Sequence, residues 1–215
     1  MAALTAEPER SDARTFATPA STDRIERTRD ALRAHGFGVE ILVDATAACR
    51  RIRELVPHGS SVLTAASETL RISGIELDIN ASHRYDAVRT RVQSMDRSAE
   101  ANEIRRLMAT PDVVIGSASA VTETGSIVIV SASGSQLPAH AGGARQTILV
   151  VGAQKIVPDL ESAFQRIERY ALPLETERAQ KIYGRPSAIN KVLILHREPL
   201  GPRTLVLLLR TAIGF

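Results

Sequence analysis

Tryptophan is absent from the 215 residues, and aromatic side chains make up only 3% of them. A core with so few rings has to be built from Val, Ile, Leu and Ala. The 44% apolar fraction supplies enough of these for one α/β domain or a domain with a small appendage. Cys49 is the sole cysteine. One thiol closes no internal disulfide and holds no iron–sulfur cluster alone, so a reducing cytoplasm is the expected setting. No apolar run reaches the roughly 18 residues that a membrane-spanning helix needs, so no membrane association is expected. The first residues, MAALTAEPERSDARTFATPASTDR, carry acids and lack the apolar segment of a secretory signal. Walker, GxGxxG, HExxH and GxSxG patterns are all missing. Basic residues number 27 against 24 acidic ones, for a net charge of +3. Arginine dominates, but it is scattered among acids without a basic block or aromatic interleaving. That pattern argues against a nucleic-acid partner and suits a small anionic ligand equally well.

The chain is organised around Pro111 to Ser131, PDVVIGSASAVTETGSIVIVS. Asp112 to Ile115 and Ile127 to Val130 are short β-branched runs that read as buried strands. Between them lie small and polar residues with one carboxylate, Glu123. A loop held by a rigid sheet is a good place for a site, and Thr122-Glu123-Thr124-Gly125 is equally good turn chemistry with no chemical role.

Residues 1–20, rich in Ala, Thr, Ser, Glu and Pro, read as a loosely ordered tail, leaving 21–215 as the folded domain. A helix capped by Ser21 to Asp23 ends at His35-Gly36, where the imidazole complements the helix dipole. Val39 to Val43 is a strand, and Asp44 caps a helix over Ala45 to Val56. Cys49 lies within that helix as a small packing residue. Ser61 to Thr64 is a short strand that runs through Ala65-Ala66 into a helix capped by Ser67. Such a strand-to-helix turn exposes backbone N–H groups that can hold an anion, although any capped turn looks the same. Ile75 to Ile79 alternates like an edge strand or turn. Tyr85 to Met108 reads as largely helical, its arginines forming a solvated face. Ala132 to Arg145 is a long irregular loop, of a kind that is often functional, and His140 within it reads as solvated. Gln146 to Val151 is a fully apolar strand. Pro158 suits the first position of a helix over Asp159 to Tyr170, and Pro173 interrupts the helical or mixed segment from Ala171 to Tyr183. Lys191 to Leu195 and Thr204 to Leu209 are two further strands. Strands alternating with helices predict a three-layer α/β/α domain around an open, mostly parallel sheet.

Four blocks give the chain a resemblance to the LUD domain, the lactate-utilisation family. They are Ser67-Glu68-Thr69-Leu70; Ile115 to Gly125, IGSASAVTETG; Val150 to Glu161, VVGAQKIVPDLE; and Leu200 to Leu209 with the closing Ile213-Gly214-Phe215. The resemblance runs from about Asp23 to Phe215. It implies a fold similar to ribose-5-phosphate isomerase and the CoA transferases, with a small β subregion. It also implies a link to conversion of L-lactate to pyruvate alongside iron–sulfur partner proteins. Relatives often carry a Cys-x-x-Cys pair before the penultimate strand. Here residues 181–190 read KIYGRPSAIN, without cysteine, so neither a metal nor another cofactor is expected in this chain.

Three functions are compatible with the resemblance. One is an accessory or subunit protein of lactate oxidation with a cleft for an organic acid. Another is an acyl- or CoA-transferase-like enzyme in which Glu123 is the nucleophile. The third, ranked last, is a phosphosugar isomerase-like protein. All three place Ser67, Glu68, Thr69, Thr122, Glu123, Thr124, Gly125 and Ser126 in one cleft at the strand carboxyl ends. Asn190, Lys191 and Arg203 are further ligand-binding candidates, and Lys155 is a candidate phosphate holder. For Lys155 and Arg203 solvent exposure is an equally good reading. An exposed sheet edge near the C-terminal strands could pair with a second copy.

Overall fold

The computed structural model describes residues 15–215. Its main sheet has six parallel strands. In spatial order these are β1 (Gly38–Leu42), β10 (Thr204–Leu209), β7 (Gln146–Gly152), β4 (Val113–Gly116), β2 (Ser61–Thr64) and β3 (Asp86–Ala87). A smaller sheet is formed, again in spatial order, by β8 (Ile156–Val157), β5 (Ala120–Thr122), β6 (Ile127–Ser131) and β9 (Lys191–Leu195).

The apolar runs are continuous because both faces of the main sheet are covered. Along β7 and β10 the burial divides with a period of two. Leu149, Val151, Val206 and Leu208 pack on one face with Ile25 and Leu32 of helix α1 (Thr22–Ala34) and with Val121, Ile127 and Ile129 of the small sheet. Ile148, Val150, Leu207 and Leu209 pack on the other face. There they meet Ala48 and Ile52 of α2 (Ala45–Leu55), Leu70 of α3 (Glu68–Ile72), and Ile75 and Ile79 of α4 (Ile75–Ala81). Val114 in β4 and Leu63 in β2 meet Val88 of α5 (Val88–Gln93), with Leu107 and Met108 of α6 (Ala101–Ala109) beside them. The outer face of the small sheet buries Ala120, Val128 and Val157 under Ala163 of α7 (Leu160–Arg166) and Ile167. The architecture is the expected three-layer α/β/α arrangement with a small β subregion. No helix among the described residues is long and apolar enough to cross a membrane.

Several local expectations are corrected. Ile75, Leu77 and Ile79 alternate in sequence, but they lie on a helix. Ile75 and Ile79, four residues apart, are both 1% exposed, while Leu77 is 71% exposed. The span from Tyr85 to Met108 is largely helical as expected, in two pieces, α5 and α6. Between them Asp96 Oδ1 accepts hydrogen bonds from the backbone N–H groups of Ser98 and Ala99, forming the turn that leads into α6. The helix-starting role expected of Pro158 belongs to Asp159, whose side chain accepts from Ser162 N. Pro173 does not break the long helix either. The chain widens into a π turn over Ile167–Ala171, where Leu172 N donates to Ile167 O. It then continues as α8 (Leu172–Tyr183). The wide turn removes the need for the N–H that proline lacks. Of the expected tail, residues 15–20 lie against the fold: the Phe16 ring is 6.4 Å from that of Tyr170, Ala20 is buried, and Ala20 N donates to Ala153 O. Residues 1–14 are outside the described residues.

The placement of Ile79 and Leu77 gives a direct test. Ile79→Ala is expected to cost about 2–4 kcal/mol by urea unfolding, while Leu77→Lys stays within about 0.5 kcal/mol. An edge strand at this position would make Leu77 as costly to replace as Ile79.

Candidate functional site

From β2 the chain turns outward to edge strand β3, and from β4 it passes through the small sheet and returns to β7. The connections therefore part between β2 and β4, which is where open α/β sheets hold ligands. A cleft of about 780 Å³ opens there. Its floor is made by the segments after the strands, Ala65 to Glu68 after β2, Ser117 to Ser119 after β4, and Lys155 after β7. Side chains of α5 and α6 line one wall, including Arg89 and Arg105. Side chains of α8 line the other, including Glu175 and Arg178. Glu175 and Arg178 are paired at 2.6 Å.

Lys155 is the central ionisable group of the floor, and it is 2% exposed. Its Nζ donates to Thr69 Oγ1 at 2.9 Å and to Ser117 Oγ at 3.0 Å. The Thr69 hydroxyl donates to Ile213 O and the Ser117 hydroxyl to Ala118 O, so both face Lys155 as acceptors. No carboxylate among the described residues pairs with Lys155. Behind the floor lies a second buried cation, Arg166, 0% exposed. Its Nη1 donates to Ser119 O at 2.6 Å and its Nε to Gln154 O at 3.3 Å, which ties the segments after β4 and β7 together. Arg166 also stacks over the Tyr170 ring at 5.3 Å. Burial lowers the Arg166 pKa to about 10, still far above neutrality. Burial, and then the charge of Arg166, push the Lys155 amine well below the ordinary lysine range.

His140 is the second unexpected member. It lies in a π turn over Ala139–Gly143, is 0% exposed, and lines the cleft. Neither ring nitrogen has a hydrogen-bond partner among the described residues. The imidazole rests on Gly116: a Cβ there would stand 2.8 Å from His140 Cε1, so β4 must end in glycine for the ring to fit. Burial, then Arg203, lower its pKa to about 4, and the ring is neutral at pH 7.

The residues expected to share one cleft divide into groups. Ser67 and Glu68 line the cleft, and Thr69 contacts Lys155 directly beneath it. Ser67 acts as an ordinary cap, accepting from Leu70 N, and the Arg71 side chain holds the Glu68 carboxyl below the usual range. Thr122, Glu123, Thr124, Gly125 and Ser126 do not line the cleft. They form the tight connection between β5 and β6, packed against α1. Glu123 Oε1 pairs with Arg24 at 2.7 Å and Oε2 with Arg27 at 3.0 Å. Burial raises the Glu123 carboxyl, but the two arginines outweigh it and hold the pKa below the usual value. Thr122 and Thr124 bond each other, and Ser126 Oγ meets His196 Nδ1 at 2.9 Å. Gly125, at φ +89°, sits so close to Ala31 O that a Cβ would come within 2.7 Å, and its own carbonyl meets His35 Nδ1 at 2.9 Å. Asn190 bonds Ala132 O, and Lys191 lays its stem over Gly134; neither lines the cleft. Arg203 does not line it either, but it holds the segment that does, donating to His140 O at 2.7 Å and Ala144 O at 3.3 Å.

The sequence offers Lys155 only as a phosphate holder or an exposed side chain, and His140 as a solvated loop residue, whereas the structure buries both at the cleft. Lys155 did carry a signal, because it stands with Gln154 as the only polar pair in the apolar stretch from Val150 to Val157. A cation there is either buried or at a turn beside the core. His140 carried no signal, because its burial depends on Gly116 and Arg203, both distant in the chain.

His140 makes stability depend on acidity. Its folded-state pKa is depressed, so the unfolded chain takes up the proton first as pH falls. Stability is therefore expected to drop between pH 6.5 and about 4 by up to roughly 3 kcal/mol. His140→Gln should remove that part of the drop in urea unfolding measured across the pH range, and an unchanged slope would refute the assignment.

A family model described as the LUD domain matches residues 25–209. No curated protein matches the chain. Among solved structures it is similar to a DUF162 family protein from Deinococcus radiodurans, with a TM-score of 0.52 and 14% identity. The match covers 89% of this chain and 99% of that one. At that identity the likeness speaks for the fold.

Proposed function

The chain belongs to the LUD domain family, and from that membership and the chemistry of the cleft floor we propose that it binds a small organic acid there and serves conversion between L-lactate and pyruvate. The observation that carries the reading is the buried Lys155 amine above the buried Arg166 guanidinium, with no carboxylate among the described residues to balance their positive charge. A buried charge without a partner is costly. A carboxylate entering the cleft supplies the missing charge, and the Ser67 hydroxyl, which accepts from Leu70 N, keeps its own proton to donate to it. At about 780 Å³ the cleft is larger than a three-carbon acid requires. The remaining space suits a second reactant or a segment of another protein, in keeping with a subunit that works in the cytoplasm beside iron–sulfur partners.

The acyl-transfer reading loses its nucleophile. Glu123 is ion-paired outside the cleft, and the carboxylates that do line it, Glu68 and Glu175, are each engaged by an arginine. No observation favours phosphosugar isomerisation.

Titration calorimetry and thermal unfolding with L-lactate and pyruvate test the proposal. An acid at about a hundred times its dissociation constant should add about 2.7 kcal/mol of stability. Lys155→Met should abolish the effect, and Glu123→Gln should leave it intact. The proposal fails if neither acid binds, or if Lys155→Met binds as tightly as the unaltered protein.

A further inference from the structure

The chain contains three lysines, Lys155, Lys181 and Lys191, against 24 arginines. Lys181 and Lys191 are exposed. Where a permanent buried charge is used to tie segments together, the chain uses arginine, as at Arg166. Lysine differs from arginine chiefly in being able to give up its proton when buried. The one buried lysine, Lys155, can therefore lose its proton where a buried arginine would keep it.

The hydrogen bonding at Nζ is specific on this point. Thr69 and Ser117 both present acceptor lone pairs, because each hydroxyl proton is committed to a carbonyl, Ile213 O and Ala118 O respectively. An ammonium has three N–H donors, and the third has no acceptor among the described residues. A neutral amine has two, and both are satisfied, leaving its lone pair free. The neighbouring charge of Arg166, with no acid to offset it, favours the neutral form.

We infer that Lys155 is a nucleophilic amine that forms an imine with the ketone carbon of a 2-oxo acid bound in the cleft. The inference rests on the organic-acid reading above and narrows it to acids with a carbonyl beside the carboxylate. The Nζ lone pair forms a bond to the carbonyl carbon, and the C=O π pair moves to oxygen. An amine proton transfers to that oxygen to give a carbinolamine. Loss of the hydroxyl with the second amine proton, as water, leaves C=N. No oxidant or reductant is required, and hydrolysis reverses the step.

Incubating the full chain with pyruvate and sodium borohydride tests this, because hydride reduces the imine to a stable secondary amine. The expected result is a single pyruvate-derived adduct by intact mass, mapped to Lys155 by peptide analysis. It should be lost in Lys155→Arg and absent when L-lactate, which has no carbonyl, replaces pyruvate. Mapping on the unaltered chain decides the matter even if the variant folds poorly. Thermal stabilisation by pyruvate with no adduct, or with adducts only on Lys181, Lys191 or the N-terminal amine, overturns the inference while the organic-acid reading stands. Absence of both stabilisation and adduct overturns the two together.

Discussion

The site depends on a cation buried behind the strand ends. Arg166, at the end of α7, reaches two carbonyls that belong to different crossovers, Ser119 O after β4 and Gln154 O after β7. Without it both segments would carry unpaired buried carbonyls, a cost of about 1–3 kcal/mol each. With it, Ser117 and Lys155 are held together, and the cleft has a fixed floor. The same charge bears on the neighbouring amine. A structural tie and an electrostatic perturbation thus come from one side chain, and this is why the organic-acid reading centres here.

The small sheet has a different role. Its connection between β5 and β6 is fastened to α1 by Glu123, Arg24 and Arg27, and by the close approach of Gly125 to Ala31. That places β6 beside the end of the main sheet, where Ile129 to Ser131 complete a wall of the cleft. Glu123 therefore belongs to the fastening of the small sheet to α1 and takes no direct part in the cleft. Arg203 does comparable work on the opposite side, where it grips the carbonyl of His140 and packs that ring onto Gly116.

Much of this fold was legible in the chain. The β-branched runs at Val113 to Ile115, Ile127 to Val130 and Ile148 to Val151 all became strands, because a sheet covered on both faces needs continuous apolar residues. The order of the family blocks pointed to the LUD domain. Local pattern failed where a tertiary contact decided the outcome. Ile75 and Ile79 satisfy both a strand and a helix pattern, and only packing under the main sheet selects the helix. The Thr122 to Gly125 segment looked like a site because it joins small residues to a carboxylate. Its partner Arg24 lies 99 residues earlier, where no pattern could link them. Lys155 meets its two hydroxyls across 86 and 38 residues. Segments after the strand ends do line the cleft, but local composition alone does not say which of their residues face it.

The central claim is that Lys155 is a buried amine whose proton is destabilised by its surroundings. With three lysines in the chain, the side-chain methylene signals beside each amine can be resolved separately by NMR as pH is raised. One of the three is expected to titrate well below the ordinary lysine range. That signal should be missing from Lys155→Met, and its midpoint should move upward when L-lactate, which forms no imine, occupies the cleft. Three lysines titrating together near the ordinary value of about 10.4, indifferent to added acid, would contradict the claim.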